Sequence, residues 1–193
     1  MRDQTIASGH FYHIYNRGVN RESIFFHEEN WLFFLRRLRH YFDRDLATIQ
    51  SYCLMPNHFH LLVHVTCDDF GRTVMHPFTV SYTKAINKQQ NRVGSLFQGP
   101  FQARCVSRDA DLIHLSRYIH MNPVQANLVS APEMWEYSSY RDYIGLRTGT
   151  LPSTELILGQ FPSRQAYVEF VCAGRDTNIG VPESLLMDWV AHE

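Results

Sequence analysis

Two histidines that flank one bulky apolar residue are the first side chains in this sequence whose types and spacing could do chemistry. His58 and His60 lie in CLMPNHFHLLVHV, residues 53–65. Because 11 of the 193 residues are His, chance alone gives about 0.6 His-x-His pairs. Imidazoles at i and i+2 on one strand face converge well on a divalent ion, but two ligands make a weak site. The pair therefore indicates a metal site only if a third ligand comes from elsewhere. Otherwise these are surface or hydrogen-bonded histidines.

A later helical segment supplies candidates for that third ligand and for a nucleophile. In SRDADLIHLSRYIHMN the side chains of His114, Tyr118 and Asn122 recur at i, i+4 and i+8, along one stripe of a helix. Asn122 offers a carbonyl oxygen to an ion, and Tyr118 stands one turn away. Each also has a simpler explanation, Tyr118 as a packed helix tyrosine and Asn122 as a helix terminator before Pro123.

A phenol beside a hard divalent ion is typical of phosphoryl transfer. The ion polarises a phosphodiester oxygen while the phenolate attacks the phosphorus. An unperturbed tyrosine has a pKa of about 10, so Tyr118 needs the ion or a cation such as Arg117 for its activation. A phosphotyrosine bond keeps the energy of the broken diester, so a strand could be rejoined to a new end without ATP. This chemistry suits an enzyme that moves DNA.

The hydrophobic periodicity predicts the elements that position these residues, in the order β-α-β-β-α-β and then a further helix. The strands are predicted at 10–17, 47–54, 58–65 and within 95–106, and the helices at 28–44, in the second half of 72–92, and at 107–122. That order indicates an α+β fold of the ferredoxin-like, split-βαβ type, an antiparallel sheet with two helices on one face. We expect the last helix to end near Asn122, because Pro123 disfavours helical backbone before it.

Side-chain alternation along 58–65 predicts what each face of that strand contacts. One face is expected to be buried against the two helices of the sheet, through Phe59, Leu61, Val63 and Val65. The opposite face carries His58, His60, Leu62 and His64, and the extra helix is its natural cover, docked through Leu112, Leu115 and Ile119. His64 fits a solvent-facing or supporting position better than that of a metal ligand.

Length and composition indicate one domain with an extension. The 193 residues are 45% hydrophobic, enough for a real core. We expect one domain at 1–146 and a helical C-terminal extension at 147–193, after a Gly/Thr/Pro-rich link. No apolar run is long enough to span a bilayer, no signal peptide is visible, and the four Cys are widely spaced. These features predict a cytoplasmic protein with reduced thiols.

Positive charge is concentrated in the first part of the chain. Residues 1–108 hold 13 Lys and Arg against 8 Asp and Glu, whereas residues 109–193 hold 5 against 11. The loop RGVNR could grip phosphates with Arg17 and Arg21. The candidate phosphate contacts also include a helix stripe formed by Lys84, Lys88 and Arg92. An ordinary turn and a solvated helix face are the alternatives for these two features.

Several segments together resemble a known family, the single-tyrosine HUH transposases, within the REP-associated branch. These are YHIYNRGVNRESIF (12–25), SYCLMPNHFHLLV (51–63), SLFQGPF (95–101), RYIHMNPVQANLV (117–129) and YSSYRDYIG (137–145). The resemblance implies that His58 and His60 are metal ligands, that Asn122 is the third ligand, and that Tyr118 is the nucleophile. One departure is Pro100, where the family often has a basic residue.

The resemblance also implies an activity and its partners. The family cleaves and rejoins single-stranded DNA beside a hairpin, with Mg²⁺ or Mn²⁺, leaving a 5′-phosphotyrosine and a free 3′-hydroxyl. DNA contacts are expected from Arg17, Arg21, Lys84, Lys88, Arg92 and Arg117. A protein of this kind associates with the nucleoid through DNA. Transposing relatives pair and REP-associated forms act alone, so both a homodimer and a monomer agree with the resemblance.

Two other functions fit parts of the pattern. A catalytically silent module that binds single-stranded DNA or RNA on a ferredoxin-like sheet would need neither the metal nor the tyrosine. A metal-dependent nuclease that activates water would need the metal alone and would form no covalent adduct with DNA. A replication-initiation or conjugative nickase with the same chemistry is a further alternative within the favoured class.

Overall fold

A four-stranded antiparallel sheet forms the centre of the protein in a computed structural model, which describes residues 6–173. Its strands are β1 (His10–Arg17), β2 (Ala47–Met55), β3 (His58–Val65) and β4 (Gln102–Val106). They lie in the order β2-β3-β1-β4, and every neighbouring pair is antiparallel. This is the split-βαβ arrangement, since β3 lies between β1 and β2. The predicted fold class is confirmed.

Six helices accompany the sheet within the described residues. They are α1 (Glu28–Tyr41), α2 (His76–Gln89), α3 (Asp109–Gln125), α4 (Tyr140–Tyr143), α5 (Glu155–Leu158) and α6 (Arg164–Ala173). A wide π-helical turn at Gly71–Met75 leads directly into α2, and short 3₁₀ turns cover Val19–Arg21 and Pro132–Met134. The predicted order β-α-β-β-α-β-α is therefore the observed one. The extension predicted at 147–193 contains α5 and α6, whereas 147–154 and 159–163 are not helical and 174–193 lie outside the described residues.

The face of the sheet that packs on α1 and α2 holds the larger hydrophobic core. From β3 it receives Phe59, Leu61, Val63 and Val65, as the alternation predicted. Helices α1 and α2 add Phe34, Leu38, Phe78 and Tyr82 to the same core. Burying apolar side chains of this size is the dominant favourable contribution to folding.

The opposite face of the sheet is covered by α3, which packs on β2, β3 and β4. Leu112, Leu115 and Ile119 are buried there beside Leu62 of β3, so the predicted docking stripe is correct. Helix α6 lies behind α3 and adds Tyr167 and Val171 to this second core. Because α3 is enclosed by the sheet on one side and by α6 on the other, it is buried around most of its circumference.

The predicted end of α3 near Asn122 was wrong. The helix continues to Gln125 with Pro123 inside it. A proline in the last turn costs one backbone hydrogen bond and disfavours helical backbone at the residue before it. Burial of Met121, Asn122 and Pro123 offsets that local preference, and Leu128 N–H then bonds to the Pro123 carbonyl. Packing therefore outweighed the local proline rule.

Two bulk predictions concern membranes and thiols. No helix within residues 6–173 is long and apolar enough to cross a bilayer. All four cysteines, Cys53, Cys67, Cys105 and Cys172, have free thiols, as the widely spaced cysteines predicted.

Substituting Phe34 tests how much the larger core contributes to stability. Phe34 is fully buried, and its ring lies 4.8–5.3 Å from those of Phe25, Phe59, Phe78 and Tyr82. Phe34→Ala is expected to lower the free energy of unfolding by about 3–5 kcal/mol, measured by urea denaturation. The control is Leu32→Ala on the same helix, where the side chain is 45% exposed. A loss of similar size in both variants would contradict the assignment of this core.

Candidate active site

The predicted ligands and nucleophile lie together where β3 packs against α3, at a largely buried junction that we call the cleft. His58 Nε2 is 3.4 Å from Asn122 Oδ1. The His60 ring lies 5.0 Å from that of His58, nearly perpendicular to it, and 5.4 Å from the ring of Tyr118. Strand alternation aims both histidines toward α3, and one helical turn separates Tyr118 from Asn122. We call these four residues the cleft residues.

The protonation state of His58 follows from its neighbours. Its Nδ1 donates to Asn57 Oδ1 at 2.6 Å. The orientation of that amide is set by its other end, because Asn57 Nδ2 donates to the Arg21 carbonyl at 3.1 Å. Burial lowers the pKa of His58 to about 4, the hydrogen bond with Asn122 raises it, and the charge of Arg17 lowers it. His58 is therefore neutral at pH 7, with the lone pair of Nε2 directed at Asn122.

In this tautomer of His58, the acceptors His58 Nε2 and Asn122 Oδ1 face each other with no proton between them. The Asn122 amide is oriented by a weak contact from Nδ2 to the Tyr118 carbonyl at 3.5 Å, which leaves Oδ1 facing His58. His60 Nε2 is buried and has no hydrogen-bond partner within the described part of the chain. Two lone pairs at 3.4 Å repel each other unless a cation or a proton lies between them.

These donors are the ones that could hold a metal ion. No group of three or more His, Cys, Asp or Glu side chains in residues 6–173 is arranged to hold one, so a third protein donor would be a neutral group such as an amide oxygen. The Asn122 amide supplies it beside two imidazoles that burial keeps neutral, since the pKa of His60 is also well below its usual value. A mixed nitrogen and oxygen donor set suits a divalent cation with positions left for phosphate oxygens.

Tyr118 is buried and protonated. Its side chain is 3% exposed, and its hydroxyl has no hydrogen-bond partner at bonding geometry within residues 6–173. Burial raises the pKa of the phenol to about 12, although the nearby Asn122 amide lowers it slightly. A phenol in this setting is a poor nucleophile until a positive charge approaches it. Because the hydroxyl is shielded, a phosphodiester reaches it only if the cleft opens.

The loop RGVNR has a positioning role that sequence reasoning did not identify. Gly18 N–H bonds to the Asn57 carbonyl at 2.8 Å, and the Arg21 carbonyl holds the Asn57 side chain. A side chain on Gly18 would collide with the Glu22 carbonyl, so the loop requires glycine there. The loop therefore holds Asn57, and Asn57 in turn orients His58.

Two of the predicted DNA contacts lie beside the cleft. Arg17 is the β1 partner of His58 in the sheet register, and its Nε donates to Gln98 at 2.6 Å. Arg21 is exposed in the loop next to it, with a left-handed backbone, φ 60°. Arg17 and Arg21 therefore place positive charge at the His58 end of the cleft.

The predicted stripe on α2 lies on the other face of the sheet. Lys84 and Lys88 are exposed, and Lys84 lines a cavity of about 1320 Å³ that does not include the cleft residues. Arg92 was wrongly predicted to lie on the helix, because α2 ends at Gln89. It pairs with Glu22 at 3.5 Å and lies over the Phe26 ring. The stripe thus runs from that cavity toward the RGVNR loop.

Arg117 and His64, which were also considered from the sequence, have different neighbours from the cleft residues. Arg117 is buried, with its guanidinium 4.5 Å above the Phe170 ring and 3.2 Å from His114 Nδ1. These contacts tie α3 to α6 and set Arg117 apart from the other predicted DNA contacts. His64 stacks on Phe11 at 4.5 Å, in line with a supporting position.

Several residues of this face were missed from the sequence. His13 Nε2 lies 3.0 Å from His60 Nδ1, and Arg104 Nε donates to the Tyr15 hydroxyl at 3.1 Å. His13 and Tyr15 alternate along β1 onto the same face, so correct strand pairing is the signal that could have found them.

His120 lies on α3 but points away from the stripe that carries Tyr118 and Asn122. It is fully buried, with Nδ1 2.7 Å from the Tyr167 hydroxyl and Nε2 2.7 Å from the Ser139 hydroxyl. Burial lowers its pKa to about 3. His120 therefore connects α3, α6 and the segment beside β2.

Comparison with known families agrees with this geometry. Residues 7–122 match the family of IS200-like transposases, which is more than half of the chain and contains all four cleft residues. The chain belongs to the IS200-like transposase family.

Two similar proteins carry the name REP-associated tyrosine transposase, the branch that the sequence motifs resemble. One, from Haemophilus influenzae, carries that name and is 26% identical over 98 residues, or 46% of this chain and 56% of that protein. The chain thus spans little more than half the length of this curated relative. The other is a solved REP-associated tyrosine transposase bound to a REP hairpin, with a TM-score of 0.58, 19% identity, and coverage of 75% of this chain and 84% of that one. That likeness shows a shared fold.

The buried neutral histidines predict acid-sensitive stability. The folded state holds the pKa of His58 near 4, below its usual 6.5, so the unfolded chain binds more protons between these values. The contribution of neutral His58 to the free energy of unfolding is fully present above pH 6.5 and is lost as the pH falls toward 4. In urea unfolding with EDTA, wild type should lose about 2 kcal/mol more than His58→Gln between pH 6.5 and 4.5. Equal losses in the two proteins would show that His58 ionises normally.

Proposed function

We propose that this protein cleaves and rejoins single-stranded DNA beside a hairpin through a covalent bond to Tyr118. The observation that carries the proposal is the convergence of a buried phenol with His58, His60 and Asn122 in one cleft. If these residues served only the fold, three acceptor atoms beside a buried phenol would not be needed. Membership of the IS200-like transposase family supports the same chemistry.

In the proposed reaction the Tyr118 oxygen attacks a backbone phosphorus. The bond from phosphorus to the 3′ oxygen breaks as the bond to Tyr118 forms, and the phenol proton passes through solvent to the departing 3′ oxygen. The products are a 5′-phosphotyrosine and a free 3′-hydroxyl. Attack by another 3′-hydroxyl reverses these steps and joins a new strand.

We propose Mg²⁺ or Mn²⁺ as the cofactor, held by His58 Nε2, His60 Nε2 and Asn122 Oδ1. When bound, the ion would neutralise charge on the phosphate and favour the phenolate. The residues themselves keep both imidazoles neutral and hold Tyr118 edge-on to His60. The repulsion between the facing acceptors supports a cation at this point.

The proposed DNA path follows the basic residues. Arg17 and Arg21 lie at the His58 end of the cleft, and Arg92 meets Glu22 beside that loop. Lys88 and Lys84 continue from Arg92 along α2. This band of charge fits a phosphate backbone that approaches the cleft from the α2 side. A hairpin partner is supported by the relative that was solved with a REP hairpin.

The covalent bond to Tyr118 can be tested directly on a denaturing gel. Wild type with Mn²⁺ and a single-stranded hairpin oligonucleotide from the DNA flanking its gene, labelled at the 3′ end, should give a labelled band near the mass of the protein. Tyr118→Phe lacks the attacking oxygen and should give none, and EDTA should abolish the band in wild type. Tyr41→Phe, on α1 at the other face, is the matched control and should keep the adduct.

The same oligonucleotide labelled at its 5′ end separates the alternatives. The proposed reaction yields a shorter free fragment from this label, with no labelled protein. Cleavage by wild type without any adduct from the 3′ label would replace the proposal with a nuclease that activates water. Binding without cleavage across several flanking hairpins would indicate a DNA-binding protein.

Neutral substitutions test the proposed DNA path. Arg21→Gln and Lys88→Gln should each lower the slope of log Kd against log salt by about 0.7, the value for one contact with single-stranded DNA. Arg44→Gln removes an equal charge from the exposed turn before β2 and should leave the slope unchanged. Fluorescence anisotropy at several salt concentrations gives these slopes. Equal slopes in all four proteins would place the DNA elsewhere.

A further inference from the structure

We propose that His13 is a positioning residue for His60: it accepts a hydrogen bond from His60 Nδ1–H and thereby leaves the His60 Nε2 lone pair facing the cleft. The inference rests on the proposed function, because it assigns His60 Nε2 as a donor to the cation. His13 was not singled out by its sequence, and it does not belong to the four cleft residues.

The contact between the two imidazoles is close and enclosed. His13 Nε2 lies 3.0 Å from His60 Nδ1. The ring centroids are 5.2 Å apart with 19° between the planes, and both side chains are fully buried. A hydrogen bond in such a place is protected from competition with water, so it controls which nitrogen of His60 carries the proton.

Two tautomers of His60 satisfy this hydrogen bond, but they differ at the other nitrogen. If the proton is on Nδ1, His60 donates to His13 and Nε2 is an acceptor. If the proton is on Nε2, His13 donates instead, and the buried N–H is left with only the Asn122 side chain near it among the described residues, at no hydrogen-bonding geometry. Stranded buried N–H groups are rarer in proteins than acceptors with spare lone pairs. The first tautomer is therefore favoured.

The geometry also separates His13 from the metal donors. Its Nε2 is occupied by His60 Nδ1, on the side of the His60 ring away from Nε2. His13 therefore does for His60 what Asn57 does for His58. Each accepts a hydrogen bond from the Nδ1–H of its histidine, which leaves the Nε2 of that histidine free for the ion. Fixing the ring and tautomer of a metal-binding histidine in this way typically changes metal affinity 10–100-fold.

Two substitutions separate the hydrogen bond from the packing. His13→Phe keeps a flat ring against His60 but removes the acceptor. His13→Gln supplies a carbonyl oxygen that can accept the same proton. Both are made in the Tyr118→Phe background, so that Mn²⁺ binding is measured by calorimetry without turnover. Urea denaturation of each variant verifies that the protein is folded.

We expect His13→Phe to weaken Mn²⁺ binding about 10–100-fold, and His13→Gln to stay within about threefold of its parent. Nitrogen-15 NMR of the metal-free parent should show His60 protonated at Nδ1, with loss of that preference in His13→Phe. Unchanged Mn²⁺ affinity in His13→Phe, or a parent with His60 protonated at Nε2, would overturn the inference. A parent that binds no Mn²⁺ but shows the Nδ1 tautomer would support the role of His13 while removing the proposed cofactor.

Discussion

Antiparallel pairing of β1 with β3 is the constraint on which the site depends. The register places Arg17 opposite His58 and Tyr15 opposite His60, and it puts His13 within bonding distance of His60. Because side chains alternate along both strands, the same register sends Phe59 and Leu61 into the core beneath α1 and α2. A slip of one residue would exchange the two faces, losing the core and the site together. The apolar face therefore secures the position of the histidines.

Burial of this site acts on its titratable groups in opposite senses. It lowers the pKa of His58 to about 4, which keeps a lone pair available, and it raises the pKa of Tyr118 to about 12, which keeps the phenol inert. Both effects come from the cost of dehydrating a charge. Under the proposed function, a bound cation would reverse only the effect on Tyr118, because it would stabilise the phenolate and bind the neutral imidazoles. Burial alone would then account both for an inert phenol without the cation and for histidines ready to bind it.

Helix α3 makes functional and structural contacts on opposite sides. One stripe presents Tyr118 and Asn122 to the sheet, while the opposite stripe bonds through His120 to Tyr167 and Ser139. The contacts to α6 and to the segment beside β2 hold the helix from behind, so its position relative to β3 is set from both sides. This enclosure also explains why the helix tolerates Pro123, since the buried residues around it outweigh one missing hydrogen bond.

The sequence by itself determined the order of strands and helices, the two faces of β3, and the stripe of α3 that carries Tyr118 and Asn122, because these follow from local periodicity. It also carried the motifs that identify the family. The end of α3 and the roles of His13, Asn57 and Gly18 were decided only by the tertiary structure. Each depends on contacts between segments far apart in the chain: β1 with β3, the RGVNR loop with the turn before His58, and α3 with the sheet. Local propensity contains no information on contacts between distant segments. A close-packed core, in contrast, admits only one arrangement of those segments.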